Sequence, residues 1–208
     1  MAINSGITQG TPSRIAFGAG VFFQGVTYDP KVAPTEEKII AGIMGATQEG
    51  GKITITPEFF EPELDGKLVK VKELMQKVGE TAVMETSMVE LTAETIAKSV
   101  IGTIGATTDG NYDVIQSSEL RSGHFYEGFG YYGELLDGRP FICVFKNALK
   151  TSGFGLEGKN KENGKFAGTF ECVSDIAFGV NKLPYALFLR KADGWTPVQA
   201  EEITEEAA

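Results

Sequence analysis

The stretch GATQEGGKI at residues 45–53 has the glycines and the lysine of a phosphate-binding loop. In a Walker A loop the spacing is Gly, four residues, Gly, Lys and then Ser or Thr, so that backbone N–H groups and the lysine hold phosphates and the hydroxyl holds Mg²⁺. Read from Gly45, the position of the lysine is taken by Gly51; read one residue later, the hydroxyl position is taken by Ile53. The motif fails in both registers. We therefore expect a tight glycine turn that leads into a strand.

The chain offers few residues for nucleophilic catalysis or metal binding. His124 is the only histidine and no Gly-x-Ser-x-Gly sequence occurs, so we expect an exposed or structural histidine at the entry of a strand. Cys143 and Cys172 lie in the apolar runs FICVF and TFECV, which favours two buried free thiols over a disulfide or a zinc site. We predict no catalytic, cofactor-binding or metal-binding residues, and we do not expect an enzyme.

Carboxylates and aromatic side chains could in principle form a sugar-binding or hydrolytic site. Glu58, Glu61 and Glu63 lie close together, but on a proline-flanked stretch they are typical of a solvated rim. The five aromatic residues between 125 and 132 have strand spacing, which favours core and cross-strand packing. A small β-sandwich module that binds a carbohydrate or a protein through this aromatic strand is the alternative interpretation.

Composition limits the class of protein. The 208 residues, 42% hydrophobic and 23% charged, fit one soluble globular domain, and 26 glycines indicate many turns. With 19 basic against 28 acidic residues the net charge is −9, which argues against tight nucleic-acid binding because such binding rests on neutralised phosphates. The sequence shows neither a signal peptide nor an apolar run long enough to span a membrane, so we expect synthesis in a cytoplasm.

The elements that must position these residues are mostly strands. Alternation of apolar and polar residues, together with Asp-Gly and Asn-Gly turn signals at 137–138 and 163–164, predicts antiparallel hairpins in the C-terminal half. A loop is expected at residues 102–111, and a short helix at residues 35–42 with Thr35 as its cap. Strands are predicted at residues 21–26, 52–56, 67–72, 81–91, 125–136, 139–145, 154–159, 165–173 and 184–190.

One more substantial helix is predicted between the two groups of strands. Thr92 should cap it, with Leu91 and Ile96 placed for a hydrophobic staple, and it should run to about Val100. The fold class is therefore mainly β, with two packed antiparallel sheets in a β-sandwich-like barrel and one flanking helix. No internal repeat or linker divides the chain, so residues 1–208 are read as a single domain.

Two segments, residues 45–100 and 139–173, together resemble the major tail protein, or tail tube protein, of long-tailed bacteriophages. The first contains a GATxGG-like loop at 45–51, a Pro-Glu to Asp-Gly extension at 57–66 and an ELT strand-to-helix step within 86–96. The second contains a KNALKTSGF hairpin within 146–170. The order and spacing of these motifs fit along most of the chain.

This resemblance implies a tube subunit of the phage tail tube type, with a long extended loop at about residues 59–79. In that family, subunits form hexameric rings whose inner sheets join into one continuous barrel, and rings stack through arms and the long loop. Here the arms would be residues 1–14 and the acidic extension 192–208. The resemblance places Thr92, Ile96 and Val100 on the structural helix. Its candidate inter-subunit residues are Gly45, Gly50, Gly51, Phe59, Phe60, Glu63, Asp65, Gly66, Lys70 and Lys72.

The resemblance also implies a place and partners for the protein. It would be found in the virion tail, made in a host bacterial cytoplasm, and would contact copies of itself, a tape measure protein, a tail terminator and distal tail or baseplate proteins. Double-stranded DNA would pass through without specific binding, and no cofactor or membrane is implied. A net charge of −9 permits an acidic lumen that repels the duplex, which we treat as a hypothesis. The inner tube of a contractile injection machine is an alternative within the same class.

Overall fold

The computed structural model describes Thr11 and residues 14–158, 160–161 and 163–193. All but two residues of each predicted terminal arm, 1–14 and 192–208, lie outside this part of the chain. The helices are α1 (Glu36–Ala41) and α2 (Ala93–Val100), and neither has the length and apolarity that a membrane span requires. The strands are β1 (Ala16–Phe23), β2 (Thr47–Phe60), β3 (Gln76–Met88), β4 (Gly102–Ala106), β5 (Asp113–Ser117), β6 (Tyr126–Leu135), β7 (Pro140–Lys150), β8 (Leu156–Glu157), β9 (Lys165–Cys172) and β10 (Tyr185–Leu189).

Eight of these strands form one antiparallel sheet in the order β1-β6-β7-β9-β3-β2, with β10 paired to β7 and β8 paired to β9. Strand β7 belongs to both halves of the sheet, because residues 141–145 pair with β10 whereas residues 148–150 pair with β9. Strands β4 and β5 form a separate two-stranded sheet. The mainly β, antiparallel fold is thus confirmed. The first half of the large sheet contains β1, β6, β10 and the start of β7, and the second half contains the end of β7 with β8, β9, β3 and β2.

The core lies between these halves. Phe129 of β6 stacks on Phe170 of β9 with ring centroids 4.2 Å apart, and Tyr126 meets Phe170 edge-on at 5.2 Å. A fully buried side chain of this size stabilises the fold by about 1.5–3 kcal/mol. The buried core residues are Phe22, Ala82, Met84, Met88, Tyr126, Phe129, Cys143, Phe145, Ala148, Phe166, Phe170 and Cys172.

Helix α1 covers the opposite face of the first half of the sheet. Ile39 packs there with Phe23 and Val144. Thr35 occupies the N-cap position as predicted, although its side chain makes no capping hydrogen bond. Strand β1 ends at Phe23, before the predicted end at Val26, but the backbone N–H groups of Gly25 and Val26 still donate to the carbonyls of Glu127 and Gly128 in β6.

Helix α2 forms where the sequence predicts it. Thr92 is its N-cap and the Thr92 Oγ1 accepts from the backbone N–H of Thr95 at 3.1 Å. The helix ends at Ile101, which adopts the left-handed conformation with φ 53°. Its buried residues are Thr95, Ala97 and Ser99, whereas Ile96 is half-buried and Val100 is exposed.

Two predictions of local structure are wrong. Residues 67–72 form no strand; they belong to an exposed loop that runs into a 3-10 turn at Lys72–Leu74, because no neighbouring strand pairs with them. Residues 102–111 are not a simple loop but supply β4 and the turn of the β4–β5 hairpin. The glycine and polar residues at 102–111 are typical of a loop. In the hairpin, however, the turn takes up only the segment between Thr107 and Tyr112, where the Thr107 backbone N–H donates to the Tyr112 carbonyl at 3.0 Å.

The remaining hairpins follow their turn signals. Asp137-Gly138 joins β6 to β7, and Gly138 has the positive φ of 79° that this turn requires. Strand β9 also forms as predicted, while its partner is reduced to the two residues of β8.

Candidate assembly arm

The glycine-rich stretch that resembled a phosphate loop is a bulge in β2, not a tight turn before it. Glu49 and Gly50 both have positive φ, 70° and 74°, and the pairing with β3 shifts register between Gln48 and Gly51. Lys52 follows the bulge and its Nζ lies 2.6 Å from the Oε2 of Glu85. The lysine that would have reached a phosphate is therefore paired with a carboxylate of the neighbouring strand.

Two of the candidate glycines are explained by contacts within the same chain. A Cβ on Gly51 would lie 2.6 Å from the Phe22 ring, so only glycine lets β2 pass over that buried side chain. Gly45 has φ 112° and lies against Glu90, whose Oε1 accepts from the Ala46 backbone N–H at 2.9 Å. A role for these glycines in contacts between subunits stays a prediction.

The two cysteines are buried free thiols, as predicted. Cys143 is completely buried and Cys172 nearly so, both in the core between the halves of the sheet. Burial raises the pKa of each thiol to about 12. Thiolate chemistry at neutral pH is therefore strongly disfavoured at both positions.

His124 is a structural histidine. It is buried, and its Nδ1 accepts from the Arg121 backbone N–H at 2.9 Å. Because an amide can only donate, the ring proton sits on Nε2, which lies 3.1 Å from the Gly102 carbonyl oxygen. The imidazole thereby joins the 3-10 turn before β6 to the start of β4.

Lys150 and Ser99 form a buried pair that the sequence did not reveal. The Lys150 Nζ donates to the Ser99 Oγ at 2.6 Å, and the Ser99 Oγ donates to the Thr95 carbonyl at 2.5 Å. A serine–lysine pair in acyl transfer needs the lysine to accept the hydroxyl proton, whereas here the lysine is the donor. The pair fastens α2 to the end of β7; in sequence, Lys150 looks like any polar residue at the end of a strand.

The aromatic strand β6 points its large rings into the protein. Tyr126 and Phe129 are buried, while Tyr131 and Tyr132 are half-buried, and Tyr131 packs edge-on against Phe22 at 5.2 Å. A carbohydrate platform needs exposed ring faces. This strand therefore gives no support to the alternative of a sugar-binding module. In the described part of the chain, no three His, Cys, Asp or Glu side chains come close enough to hold a metal ion.

The outer part of the β2–β3 hairpin, residues 57–79, extends beyond the core, and we name it the arm. Ile55 is the last residue of β2 that packs against the core, and all residues from 56 to 60 are exposed. Pairing nevertheless continues to Phe60, which lies opposite Gln76. At about 3.4 Å per residue, the five residues after Ile55 carry the hairpin roughly 17 Å beyond the core.

The arm exposes an unusual concentration of apolar side chains. Leu68 is 95% exposed and Val69 is 71% exposed at its end. Single exposed apolar residues are normal on a monomer, but a contiguous group marks an interaction surface. The exposed large apolar residues of the arm are Phe59, Phe60, Leu64, Leu68, Val69, Met75 and Val78.

The end of the arm is an ordered loop held by Glu61. Its Oε1 accepts from the Val71 backbone N–H at 2.8 Å and lies 3.0 Å from the Lys67 Nζ, which also donates to the Pro62 carbonyl at 2.8 Å. The Val71 N–H and the Lys67 ammonium lower the pKa of this carboxyl. The expectation of a solvated rim is wrong for Glu61, whose side chain is only 16% exposed, because its carboxylate closes the loop.

Glu80 fixes the base of the arm to the body of the protein. Its carboxylate accepts from the Leu183 backbone N–H at 3.1 Å and from the Tyr185 hydroxyl at 3.3 Å, and it also pairs with Lys77. The Lys77 ammonium is the main cause of the lowered pKa of Glu80. Held at both ends, the arm presents a defined surface and not a loose loop.

The candidate inter-subunit residues fall on different parts of this structure. Phe59 and Phe60 lie at the end of β2, and Glu63, Asp65, Gly66, Lys70 and Lys72 lie in or beside the loop at the end of the arm. The structure thus brings these seven together on the arm, separate from Gly50 in the bulge and from Gly51 directly after it.

Comparisons with known proteins add a weak structural likeness. No protein-family model and no curated protein matches the chain. Among solved structures, a chain from a structure described as the virion of a native gene transfer agent particle aligns with a TM-score of 0.39 and 11% identity, over 83% of this chain and 96% of that chain. A likeness at this level carries no argument about function.

Proposed function

We propose that the protein is a structural virion subunit that assembles with copies of itself into stacked hexameric rings, forming a phage-type tail tube through which DNA is ejected. The arm is the observation that carries this proposal, because its large apolar side chains remain 39–95% exposed in the described chain. The motifs in residues 45–100 and 139–173 resemble those of tail tube proteins in type and order, and this resemblance supports a tail tube as the assembly.

Burial of the arm against a neighbour provides the driving force. A large apolar side chain that becomes fully buried contributes about 1.5–3 kcal/mol. Leu68 is 95% and Val69 71% exposed in the folded chain, so most of their surface is still available for burial on assembly. Because Glu61 and Glu80 already order the arm, association has less conformational entropy to overcome than it would with a loose loop.

The outer edge of β2 offers a second contact. Among the strands of the described residues, β2 pairs with β3 alone, so the backbone groups of its opposite edge can pair with a strand of a neighbouring subunit. A ring in which sheets of adjacent subunits join leaves no such edge free. The inner tube of a contractile injection machine would use the same contacts and differs in having a sheath around it.

A DNA conduit should not hold its passenger, since each phosphate contact slows movement. The outer face of the β2–β3–β9 region fits this requirement: Lys52 is paired with Glu85 and Lys165 with Glu49, both at 2.6 Å. A net charge of −9 per chain permits a neutral or acidic lumen in the assembled tube. A lumen lined with unpaired lysine and arginine in the assembled tube would contradict this part of the proposal.

Negative-stain microscopy of the concentrated protein tests the assembly. The natural chain should form rings or hollow tubes; Leu68→Asp should stay monomeric, and the matched control Leu68→Met, which keeps the apolar surface, should still assemble. Because Leu68 is 95% exposed, both variants should unfold at the temperature of the natural protein. If the natural chain gives only compact monomers, alone and with tail initiator proteins, the proposal fails.

A further inference from the structure

We infer that the end of the arm docks against the end of a neighbouring copy's arm, with the acidic limb of one against the basic limb of the other. This inference rests on the proposed self-assembly and names the surface that receives the arm. The occupant is a second copy of this chain. The grounds are the division of charge within the loop, the internal contacts that leave part of that charge unused, and the exposed apolar residues beside it.

The loop at the end of the arm is divided by charge. The limb at residues 61–65, EPELD, has three acidic and no basic residues, a formal charge of −3. The limb at residues 67–72, KLVKVK, has three basic and no acidic residues, a formal charge of +3. Gly66 lies between the limbs with φ 84°, and the Lys67 backbone N–H donates to the Leu64 carbonyl at 3.1 Å to close the turn.

Internal contacts use one charge from each limb. Glu61 and Lys67 pair with each other and are largely covered. Glu63 and Asp65 on one limb, and Lys70 and Lys72 on the other, are exposed and form no salt bridge within the described chain. Two acidic and two basic groups therefore remain for a contact outside the monomer.

Apolar side chains accompany both pairs of charges. Leu64 lies on the acidic limb and is 54% exposed, and Leu68 and Val69 lie on the basic limb. A neighbouring arm end offers the same apolar residues with charges of the opposite sign. Because each loop has one limb of each sign, it can contact one neighbour through its acidic limb and another through its basic limb. Such a head-to-tail contact can continue around a closed ring.

Charge also favours the arm end over the body of a neighbour. The two limbs sum to zero, −3 and +3, so the remaining residues of the chain carry the whole net charge of −9. An acidic body attracts the basic limb but repels the acidic limb. An arm end, in contrast, offers a limb of the opposite sign to either limb.

Charge reversal tests the pairing. Glu63→Lys with Asp65→Lys makes both limbs basic, and Lys70→Glu with Lys72→Glu makes both limbs acidic. Each double variant alone should lose tubes, with the sedimenting fraction falling roughly tenfold or more, because like charges then face each other. An equal mixture of the two, and the single chain with all four reversals, should recover tubes. Lys31→Glu with Lys191→Glu changes two exposed lysines outside the arm and should assemble normally.

Thermal unfolding should first show that every variant is folded. If the double variants fail and neither the mixture nor the fourfold reversal recovers tubes, the arm docks on another surface; the inference is then overturned, while the tube proposal stands. Normal tubes from either double variant alone would also overturn it. If the natural chain itself forms no rings or tubes, the proposed function and this inference fall together.

Discussion

The Nζ of Lys150 lies 2.6 Å from the Oγ of Ser99, which places an ammonium group between α2 and the sheet where only 3% of the lysine is exposed. The centre of the Phe166 ring lies 5.0 Å from the same nitrogen, which gives a favourable cation–π contact. Burial lowers the pKa of Lys150 to about 8. A group that holds its proton less tightly when folded makes the protein less stable while it is protonated.

The stability of the protein should therefore depend on pH through Lys150. Unfolded lysine has a pKa of about 10.4. The unfolded chain thus binds more protons than the folded chain between about pH 8 and pH 10.4, and the Lys150 contribution to stability rises with pH across that window. Relative to Lys150→Met, the natural protein should gain on the order of 3 kcal/mol in free energy of unfolding over that window, measured by denaturant titration.

The comparison with the variant is needed because other groups titrate nearby in pH. Cys143 and Cys172 have raised pKa values, so their contribution is full below the ordinary thiol pKa and falls as pH rises above it, opposite in sign to that of Lys150. Both thiols are present in each protein and cancel in the difference. Lys31→Met, at an exposed lysine, is the control. The difference in free energy of unfolding between the natural protein and Lys31→Met should not rise over the same window. An equal rise there would contradict the assignment to Lys150.

Gly51 should be intolerant of a side chain. A Cβ at this position would lie 2.6 Å from the Phe22 ring and 3.0 Å from the Tyr131 ring, and Phe22 is held in the core and cannot move aside freely. Gly51→Ala should lower the free energy of unfolding by about 1–3 kcal/mol, the usual cost of overpacking. Denaturant titration would measure it.

Gly105→Ala is the matched control for Gly51. It also lies in a strand, and its new Cβ would meet nothing nearer than 3.8 Å, so its effect should be small. In a double-mutant cycle, Phe22→Leu should reduce the cost of Gly51→Ala, since the shorter side chain makes room. Additive costs would show that the two positions do not act through this contact.

The parts of the fold that the sequence predicted are those fixed by local chemistry. Asp137-Gly138 can form a tight hairpin turn wherever it stands between two apolar runs, and Thr92 can cap α2 through its own hydroxyl. The β4–β5 hairpin was missed because the glycines at 102 and 105 resembled loop residues, and pairing between β4 and β5 outweighed their weak strand propensity.

The parts of the site that the sequence missed depend on distant contacts. Lys150 meets Ser99 across 51 positions of sequence, and no local pattern distinguishes a lysine that folds inward from one that faces water. Alternation in KLVKVK predicted a strand, but Leu68 and Val69 meet no neighbouring strand and stay exposed. The resemblance to tail tube proteins predicted a long loop at about residues 59–79; in the structure β2 extends to Phe60 and β3 begins at Gln76, so residues 61–75 connect the two strands.

The two thiols should be protected in the native protein. Cys143 and Cys172 are buried, and their pKa values of about 12 leave little thiolate at about pH 8. An aromatic disulfide reagent should therefore react roughly a hundredfold or more slowly with the native protein than with the unfolded chain. The denatured protein, in which both cysteines should react, is the control. Fast reaction of either thiol under native conditions would contradict the packing of β7 against β9.

Glu61 should control the order of the arm end without controlling the fold. Its carboxylate accepts from the Val71 N–H and pairs with Lys67, but all three lie in the arm, beyond the core. In Glu61→Ala the Val71 amide should exchange with solvent roughly tenfold or more faster, while the unfolding temperature stays close to that of the natural protein. Hydrogen exchange followed by NMR would resolve this single amide.

Glu63→Ala is the matched control, because Glu63 is exposed and forms no ion pair within the described chain; its Val71 amide should exchange as in the natural protein. The pH dependence has a definite sign. The pKa of Glu61 is lowered by the Val71 N–H and by Lys67, so the contact is complete above the ordinary glutamate pKa of about 4.3 and is lost only as pH falls through the lowered value. Protection of Val71 should therefore persist at about pH 5. Equal exchange rates in the natural protein and in Glu61→Ala at that pH would show that the carboxylate does not hold the loop.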